Sequence, residues 1–351
     1  MASLLRPRRR AGPPPGPAAA DGKGTGAGTA SGSVDMAVRV GPTLLPNPVM
    51  TASGTAGHGA ELSAYFDLAR LGAMVVKSLS AEPWPGNPAP RLLPLRAGML
   101  NSVGLQNPGI DSWLRLDLPQ LARAGARVVV SVWGRSPADF ADVGRRLAAG
   151  LAAAPAGAVV AVEANISCPN IEDRQRMFAH SPEGTAAAVG ALADGLSAGA
   201  GPRSGGPPPV WAKLSPNVTD IVAIAQSALA SGATALTLVN TLMGLALDPA
   251  TGAPRLGGGG GGLSGPALHP VAVRAVYECR RALPAVPIVG VGGVSTGLDA
   301  AEFLAAGANA VQVGTATFVD PRAPLRVLEE LRAWCCSHGL TPPMIGRPGG
   351  S

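Results

Sequence analysis

The segment Asn165-Ile-Ser-Cys168-Pro-Asn170 follows directly on the apolar run Val159-Val-Ala-Val-Glu-Ala. A thiol and two carboxamides leaving the end of a buried strand have the chemistry to hold a polar, planar ligand and to move one proton. Most free cysteines are small buried hydrophobes. A Cys between two Asn residues and followed by Pro instead lies on an irregular polar segment, where a thiolate can act as base or nucleophile. The ordinary thiol pKa of about 8.5 means that a nearby cation such as Lys77, or a closing loop, would help Cys168 at neutral pH. Cys279, Cys335 and Cys336 fall on helical stretches and read as structural or incidental. No cysteine spacing suggests a disulfide framework, which fits a reduced, cytoplasmic setting. His58, His180, His269 and His338 show neither metal-ligand spacing nor a partnering carboxylate cluster, so no metal site is expected.

Further polar residues stand at the ends of other apolar runs: Ser53-Gly54, Lys77-Ser78, Ser131, Lys213, Asn240-Thr241, Gly292-Gly293 and Gly314-Thr315. A strand buried on both faces has little use for lysine, so Lys77 and Lys213 read as functional, against the bland reading that both point to water. The glycines in Gly290-Val-Gly-Gly-Val-Ser295 and Val313-Gly-Thr-Ala316 would let backbone N–H groups and a short helix N-terminus approach a phosphate. Taken alone, such glycines serve equally well as plain turns.

These residues need a scaffold that brings strand ends together. From Pro48 onward, short β-branched or apolar runs alternate with Ala/Leu-rich stretches at helical period, as in repeated βα units. Eight strands are expected: Pro48 to Ala52, Ala73 to Lys77, Arg127 to Val132, Val159 to Asn165, Val210 to Leu214, Ala235 to Val239, Pro287 to Val291 and Ala310 to Val313. Ser136-Pro137-Ala-Asp139, Ser181-Pro182-Glu183, Asn217-Val-Thr-Asp220, Thr296-Gly-Leu-Asp299 and Asp320-Pro321 punctuate helix starts. Eight units without a dinucleotide fingerprint predict an α/β fold of the (β/α)8 TIM-barrel type, with a parallel eight-stranded core and the site at the carboxyl ends of its strands. The long connection from Ser80 to Asp117 should cover that face, while Ser197 to Pro209 and Gly257 to Gly262 read as flexible insertions.

Composition bounds the remainder. Of 351 residues, 46% are hydrophobic, enough for a sizeable core. No apolar stretch reaches the ~20 residues of a membrane-spanning helix. Residues 1–36 form a basic Pro/Gly/Ala-rich tail expected to be disordered, residues 37–337 the barrel, and residues 338–351 a flexible C-terminal tail. Pro13-Pro14-Pro15 stands where a secretory signal would place an apolar segment, so export is not expected. The tail carries five basic and two acidic residues, so +3 of the formal charge of +6 lies outside the barrel, and nothing in the body suggests nucleic-acid binding.

Together the residues resemble one family closely, the dihydroorotate dehydrogenases, in their soluble class 1 branch. The resemblance runs from about Val38 to Leu331. It rests on Thr51-Ala-Ser-Gly54, Val76-Lys-Ser78, Gly86-Asn-Pro-Ala-Pro-Arg91, Asn101-Ser-Val-Gly-Leu-Gln-Asn-Pro-Gly109, Asn165-Ile-Ser-Cys-Pro-Asn170, Lys213-Leu-Ser-Pro-Asn-Val-Thr-Asp220, Asn240-Thr-Leu-Met-Gly244, Gly262-Leu-Ser-Gly-Pro-Ala267, Gly292-Gly293 and Gly314-Thr315, in that order. It implies an FMN enzyme that oxidises (S)-dihydroorotate to orotate. Ser53, Lys77, Ser78, Asn165, Lys213, Val239, Gly265, Gly292, Gly293, Gly314 and Thr315 match flavin-binding positions, the last four at its phosphate. Lys77, Asn101, Ser102, Val103, Gly104, Leu105, Asn165, Asn240 and Thr241 match positions that hold orotate. Cys168 matches the base that takes the C5 proton while the C6 hydride goes to flavin N5.

Cysteine rather than serine as base, without a hydrophobic anchor, marks the soluble class. Asn240-Thr-Leu-Met-Gly and Leu263-Ser-Gly-Pro-Ala resemble most the NAD-linked branch, class 1B. That likeness implies a separate FAD and iron–sulfur subunit, and a homodimer or heterotetramer. One position departs: Ser131 stands where the family usually has a flavin-contacting asparagine. Three rival readings are a related flavin barrel acting on dihydropyrimidine bases, whose motif usually has His in place of Asn170, a flavin-free aldolase or isomerase using Lys77 or Lys213 as a Schiff base, and a non-catalytic scaffold.

Overall fold

A computed structural model of the chain describes residues 34–167, 177–201 and 206–346. Among these residues, eight parallel strands stand side by side in chain order: β1 (Val49–Thr51), β2 (Met74–Val75), β3 (Val128–Val132), β4 (Val159–Asn165), β5 (Val210–Leu214), β6 (Ala233–Leu238), β7 (Ile288–Val291) and β8 (Ala310–Val313). β8 pairs with β1, and a parallel bridge between Met50 and Ala73 joins β1 to β2 and closes the ring. The expected (β/α)8 barrel is therefore present. Boundaries differ by a residue or two; β2 stops at Val75, for instance, and the Lys77 N–H donates to the Gly57 carbonyl, 2.9 Å away, outside the barrel ladder.

Alternation along the strands builds two cores. Outward residues such as Val130, Val162, Leu214 and Val311 pack under the helices, with Phe140, Leu192, Val276 and Phe303. Inward residues Met50, Val75, Val129, Ala161, Trp211, Ala235, Val289 and Ala310 fill the barrel. One bulky indole among alanines keeps the interior filled without overpacking. An antiparallel hairpin, Val38–Val40 with Thr43–Leu45, adds Val38, Val40 and Leu45 to this inner cluster, and Thr43 donates to the Val160 carbonyl. The hairpin thus stoppers the end of the barrel where the strands begin.

Four of the five expected helix starts cap helices. Ser136 with Asp139, and Thr296 with Asp299, form reciprocal capping boxes at Pro137–Leu151 and Gly297–Ala305. Ser181 caps Pro182–Gly199, and Asp220 caps Ile221–Ala230. Asp320 instead ends the short helix Ala316–Val319, and its carboxylate turns the chain through Arg322 N–H before the helix Ala323–His338. Among the described residues, no helix is long and apolar enough to cross a membrane.

A four-stranded antiparallel sheet lies over the mouth: Leu242–Gly244, Gly261–Ser264, Gly98–Asn101 and Leu92–Leu95, in that order. The connection from Ser80 to Asp117 supplies half of it, so it covers the carboxyl face as expected. The glycines from Gly257 to Gly262 are not a flexible insertion, because Gly261 and Gly262 belong to the sheet. A Cβ at Gly257 would strike the Pro88 carbonyl, one at Gly258 the Ser102 hydroxyl, and one at Gly262 the Thr241 side chain. These glycines are close-contact residues. The segment from Ser197 likewise begins inside a helix, which runs to Gly199; there, and at Gly195, glycine lets it lie against the backbone of Pro137–Leu151. Residues 202–205 lie outside the described set.

Candidate active site

Inward positions near the strand ends meet in one cavity under the antiparallel sheet. Register sets Asn165 of β4 beside Lys213 of β5, and Lys213 beside Thr237 of β6. The cavity is lined by Ser53, Lys77, Ser78, Asn101, Val103, Gly104, Leu105, Asn165, Lys213, Val239, Asn240, Thr241, Gly265, Gly292, Gly293, Gly314 and Thr315. All of these were singled out from the sequence. Of the rest, Ser102 is fully buried behind the wall, where its hydroxyl and carbonyl accept from the Asn87 amide at 3.0 and 3.2 Å. Ser131 is buried behind Ser78, while Cys168 and Asn170 lie outside the described residues.

A chain of polar contacts crosses the floor. Ser53 Oγ is 3.1 Å from Ser78 Oγ, which is 2.9 Å from Ser131 Oγ and accepts from Asn165 Nδ2 at 2.9 Å. Asn165 Oδ1 in turn accepts from Asn240 Nδ2 at 3.3 Å, and that amide also reaches Ser167 Oγ at 3.0 Å. Each carboxamide is therefore oriented before any ligand arrives, with donor and acceptor edges at fixed places. Asn217, expected only as part of a helix start, positions the Asn240-Thr241 turn by donating to the Thr241 carbonyl and accepting from Met243 N–H, both at 2.9 Å, while Asp220 is the cap.

The wall from Asn101 to Gly109 is held by Asn107. Its Oδ1 accepts from Gly109 N–H at 2.9 Å and Ser80 N–H at 3.1 Å, and its Nδ2 donates to the Leu105 carbonyl at 2.9 Å. Leu105 has φ 62°, a left-handed conformation costly for a branched side chain. It is kept there by this clamp and by packing against Trp133 and Trp84.

Along β7, β8 and the turn at Gly265, glycine exposes backbone to the cavity. Gly265 and Gly293 have φ of 93° and 72°, and a Cβ at Gly293 would lie 2.8 Å from the Gly265 carbonyl. Thr315 Oγ1 donates to Ser264 Oγ at 2.8 Å beside this cradle. N–H groups and hydroxyls without a carboxylate form a donor set suited to a phosphate.

Among the described residues, two ammonium groups, Lys77 and Lys213, line the cavity. Lys213 is 5% exposed, and its Nζ lies 3.5 Å from Oε1 of the fully buried Glu163. Gln312 of β8 donates to the other oxygen at 2.8 Å. Near Lys77, His58 has its pKa lowered to about 4, by burial first and then by the Lys77 charge, against the opposing pull of Glu61. Elsewhere burial, with Glu278 and Asp220 nearby, pushes the Cys279 thiol up to about 12, and burial also raises Cys335, so neither is a nucleophile at neutral pH. No group of His, Cys, Asp and Glu among the described residues could hold a metal ion.

In the sequence, Glu163 and Gln312 read only as members of apolar runs. The signal was the one that marked the lysines, a polar side chain inside a strand buried on both faces. Met99, Leu268 and Phe318 also line the cavity but carry no chemical signature in the sequence.

A model of the dihydroorotate dehydrogenase family matches residues 36–334. The chain is 44% identical over 310 residues to the catalytic subunit of dihydroorotate dehydrogenase B (NAD(+)) of Alkaliphilus metalliredigens, covering 88% of this chain and 96% of that one. It is 45% identical over 308 residues to the protein of the same name from Solidesulfovibrio magneticus, with 88% and 95% covered. For Pelobacter propionicus the figures are 43% over 306 residues, with 87% and 95% covered.

Proposed function

This chain belongs to the dihydroorotate dehydrogenase family, and from that premise we propose that it oxidises (S)-dihydroorotate to orotate in pyrimidine biosynthesis. The observation that carries the reading is the convergence of Lys77, Asn165, Lys213 and Asn240 on one cavity that also holds the glycines Gly265, Gly292, Gly293 and Gly314.

The residues present fit FMN. Gly292, Gly293, Gly314 and Thr315 would hold its phosphate; a Cβ at Gly292 would strike Ala272, and one at Gly293 the Gly265 carbonyl and His269, so glycine keeps this backbone in place. Ser53, Ser78, Asn165, Val239 and Gly265 would border its rings, with Lys213 as the nearby cation. Bound there, FMN supplies the acceptor for the hydride leaving C6 of the substrate.

The chain's own residues do the rest. Cys168 takes the C5 proton, the general-base step that desaturating a bond beside a carbonyl requires. Lys77 and the wall from Asn101 to Leu105, with Ser102 acting from behind it, hold the substrate carboxylate and ring. Asn165, Asn240 and Thr241 pair with the alternating imide N–H and C=O groups. Lys213 stabilises negative charge that develops during reduction. Ser131, shorter than asparagine and engaged with Ser78, acts on the flavin through that hydroxyl.

The similar proteins are named catalytic subunits of an NAD(+) enzyme, which supports a reading in which electrons here pass to a separate subunit that holds FAD and an iron–sulfur centre, in a heterotetramer. Cys279 and Cys335 are buried apart from the cavity and, among the described residues, no group of cysteines forms a cluster site.

The test is anaerobic. Protein reconstituted with FMN should lose its yellow colour on mixing with dihydroorotate. Cys168→Ala should slow that bleaching by at least ~100-fold, the usual scale of a general base, while keeping the cofactor. Faster bleaching by dihydrouracil than by dihydroorotate would overturn the substrate, and undiminished bleaching in Cys168→Ala would overturn the base.

A further inference from the structure

Among the described residues, Glu163 and Lys213 are the only charged side chains buried inside the protein. They are stacked by depth. Asn165 and Lys213 reach the cavity, whereas Glu163, two residues before Asn165 on β4 and therefore on the same face, is fully buried and does not. Around Glu163 stand Ser131, in register on β3, the Gln312 amide from β8 and, beside Lys213, Thr237 from β6. None of these neighbours is charged, and Glu163 Oε1 accepts no hydrogen bond. The Lys213 ammonium at 3.5 Å is thus its charge compensation.

A buried ion pair is poor value as a structural device, because apolar residues of similar volume often do as well. This one faces a site that would hold a redox group, with only one member in the cavity. In that low-dielectric setting the carboxylate both anchors the ammonium and opposes its field.

We propose that Glu163 is a positioning residue of the flavin site: clamped by Gln312 from one layer below, its carboxylate fixes the Lys213 ammonium at the cavity floor and offsets its charge, and so sets how strongly the protein favours reduced over oxidised flavin. The proposal rests on the FMN reading above. Reduced flavin carries the extra negative charge, so an unopposed Lys213 should bind it more tightly relative to the oxidised form.

The experiment is the two-electron reduction potential of FMN bound to wild type, Glu163→Gln, Lys213→Met and the double variant. Glu163→Gln should raise the ratio of affinities for reduced over oxidised FMN at least tenfold, about 30 mV for two electrons. Lys213→Met should lower it, and Glu163→Gln should then have no further effect in the Lys213→Met background. A ratio within twofold of wild type in Glu163→Gln, or equal shifts in both backgrounds, would overturn the proposal; a carboxylate that only packs would move stability and leave the potential alone. If Glu163→Gln does not fold, Gln312→Met carries the test. Without its amide donor the carboxylate acts more strongly on Lys213, and the ratio should fall; an unchanged ratio would refute the idea. Wild-type protein that never binds FMN would defeat the cofactor assignment instead, a separate result.

Discussion

His58 is neutral in the folded protein down to about pH 4, because its ring is largely buried and Lys77 lies near. An unfolded histidine takes up its proton near pH 6.5. The folded pKa is the lower one, so the stability linked to His58 is complete above about pH 6.5 and is lost as pH falls from there toward 4. His58→Gln should flatten that stretch, recovering about 1–2 kcal/mol at pH 4.5 once solvent screening is allowed for. Thermal melts of both proteins from pH 7 to 4.5 provide the check, and parallel curves would mean a hydrated imidazole. At this scale the site was largely legible in the sequence. Lys77, Lys213, Asn165 and Asn240 are polar residues at the ends of apolar runs, and burial makes such residues conspicuous. His58 was not legible, because its neighbours Lys77 and Trp113 come from other parts of the chain; Trp113 donates its indole N–H to the His58 carbonyl at 2.7 Å.

The barrel strands announced themselves through β-branched runs of strand length and through caps such as Ser136 with Asp139. The antiparallel sheet over the mouth did not. Its strand Gly261–Ser264 is glycine-rich, and its partners are remote in sequence, with Gly262 opposite Asn101. Glycine there answers to Thr241, a contact that no local pattern encodes. Gly262→Ala should therefore cost about 1–3 kcal/mol through overpacking and should raise KM for dihydroorotate more than it lowers kcat, since Asn101 and Thr241 are displaced together. Gly190→Ala is the control. That position is mid-helix, where a Cβ would make only an ordinary contact with the Ser231 carbonyl at 3.9 Å, and alanine should stabilise the protein by about 0.5–1 kcal/mol. Calorimetry with steady-state kinetics on both variants tests the contrast; an unaffected Gly262→Ala would mean that the sheet yields easily.

The whole molecule places the cavity beneath a sheet on which Leu92, Leu95 and Met243 are exposed, Leu92 also lining the cavity, with exposed Leu245 and Leu247 just beyond. If electrons leave through a separate subunit, the isolated chain should turn over dihydroorotate with a diffusible dye and fail with NAD. Parallel assays of the purified chain decide this, and unaided NAD reduction at the dye rate would remove the need for a partner. Sequence composition could not reach this level, because partner choice lies in surface shape rather than in strand-end chemistry.

The hairpin of Val38–Val40 and Thr43–Leu45 has one more effect. With Val38, Val40 and Leu45 in one cluster with Trp211 and Met50, the described residues leave no back door to the barrel. Among the described residues, substrate and product then share a single doorway, the one roofed by Leu92–Leu95 and its partners. Any small molecule lodged in that entrance blocks arrival and departure alike, and no inhibitor can reach the reacting ring from underneath without first prying the stopper loose.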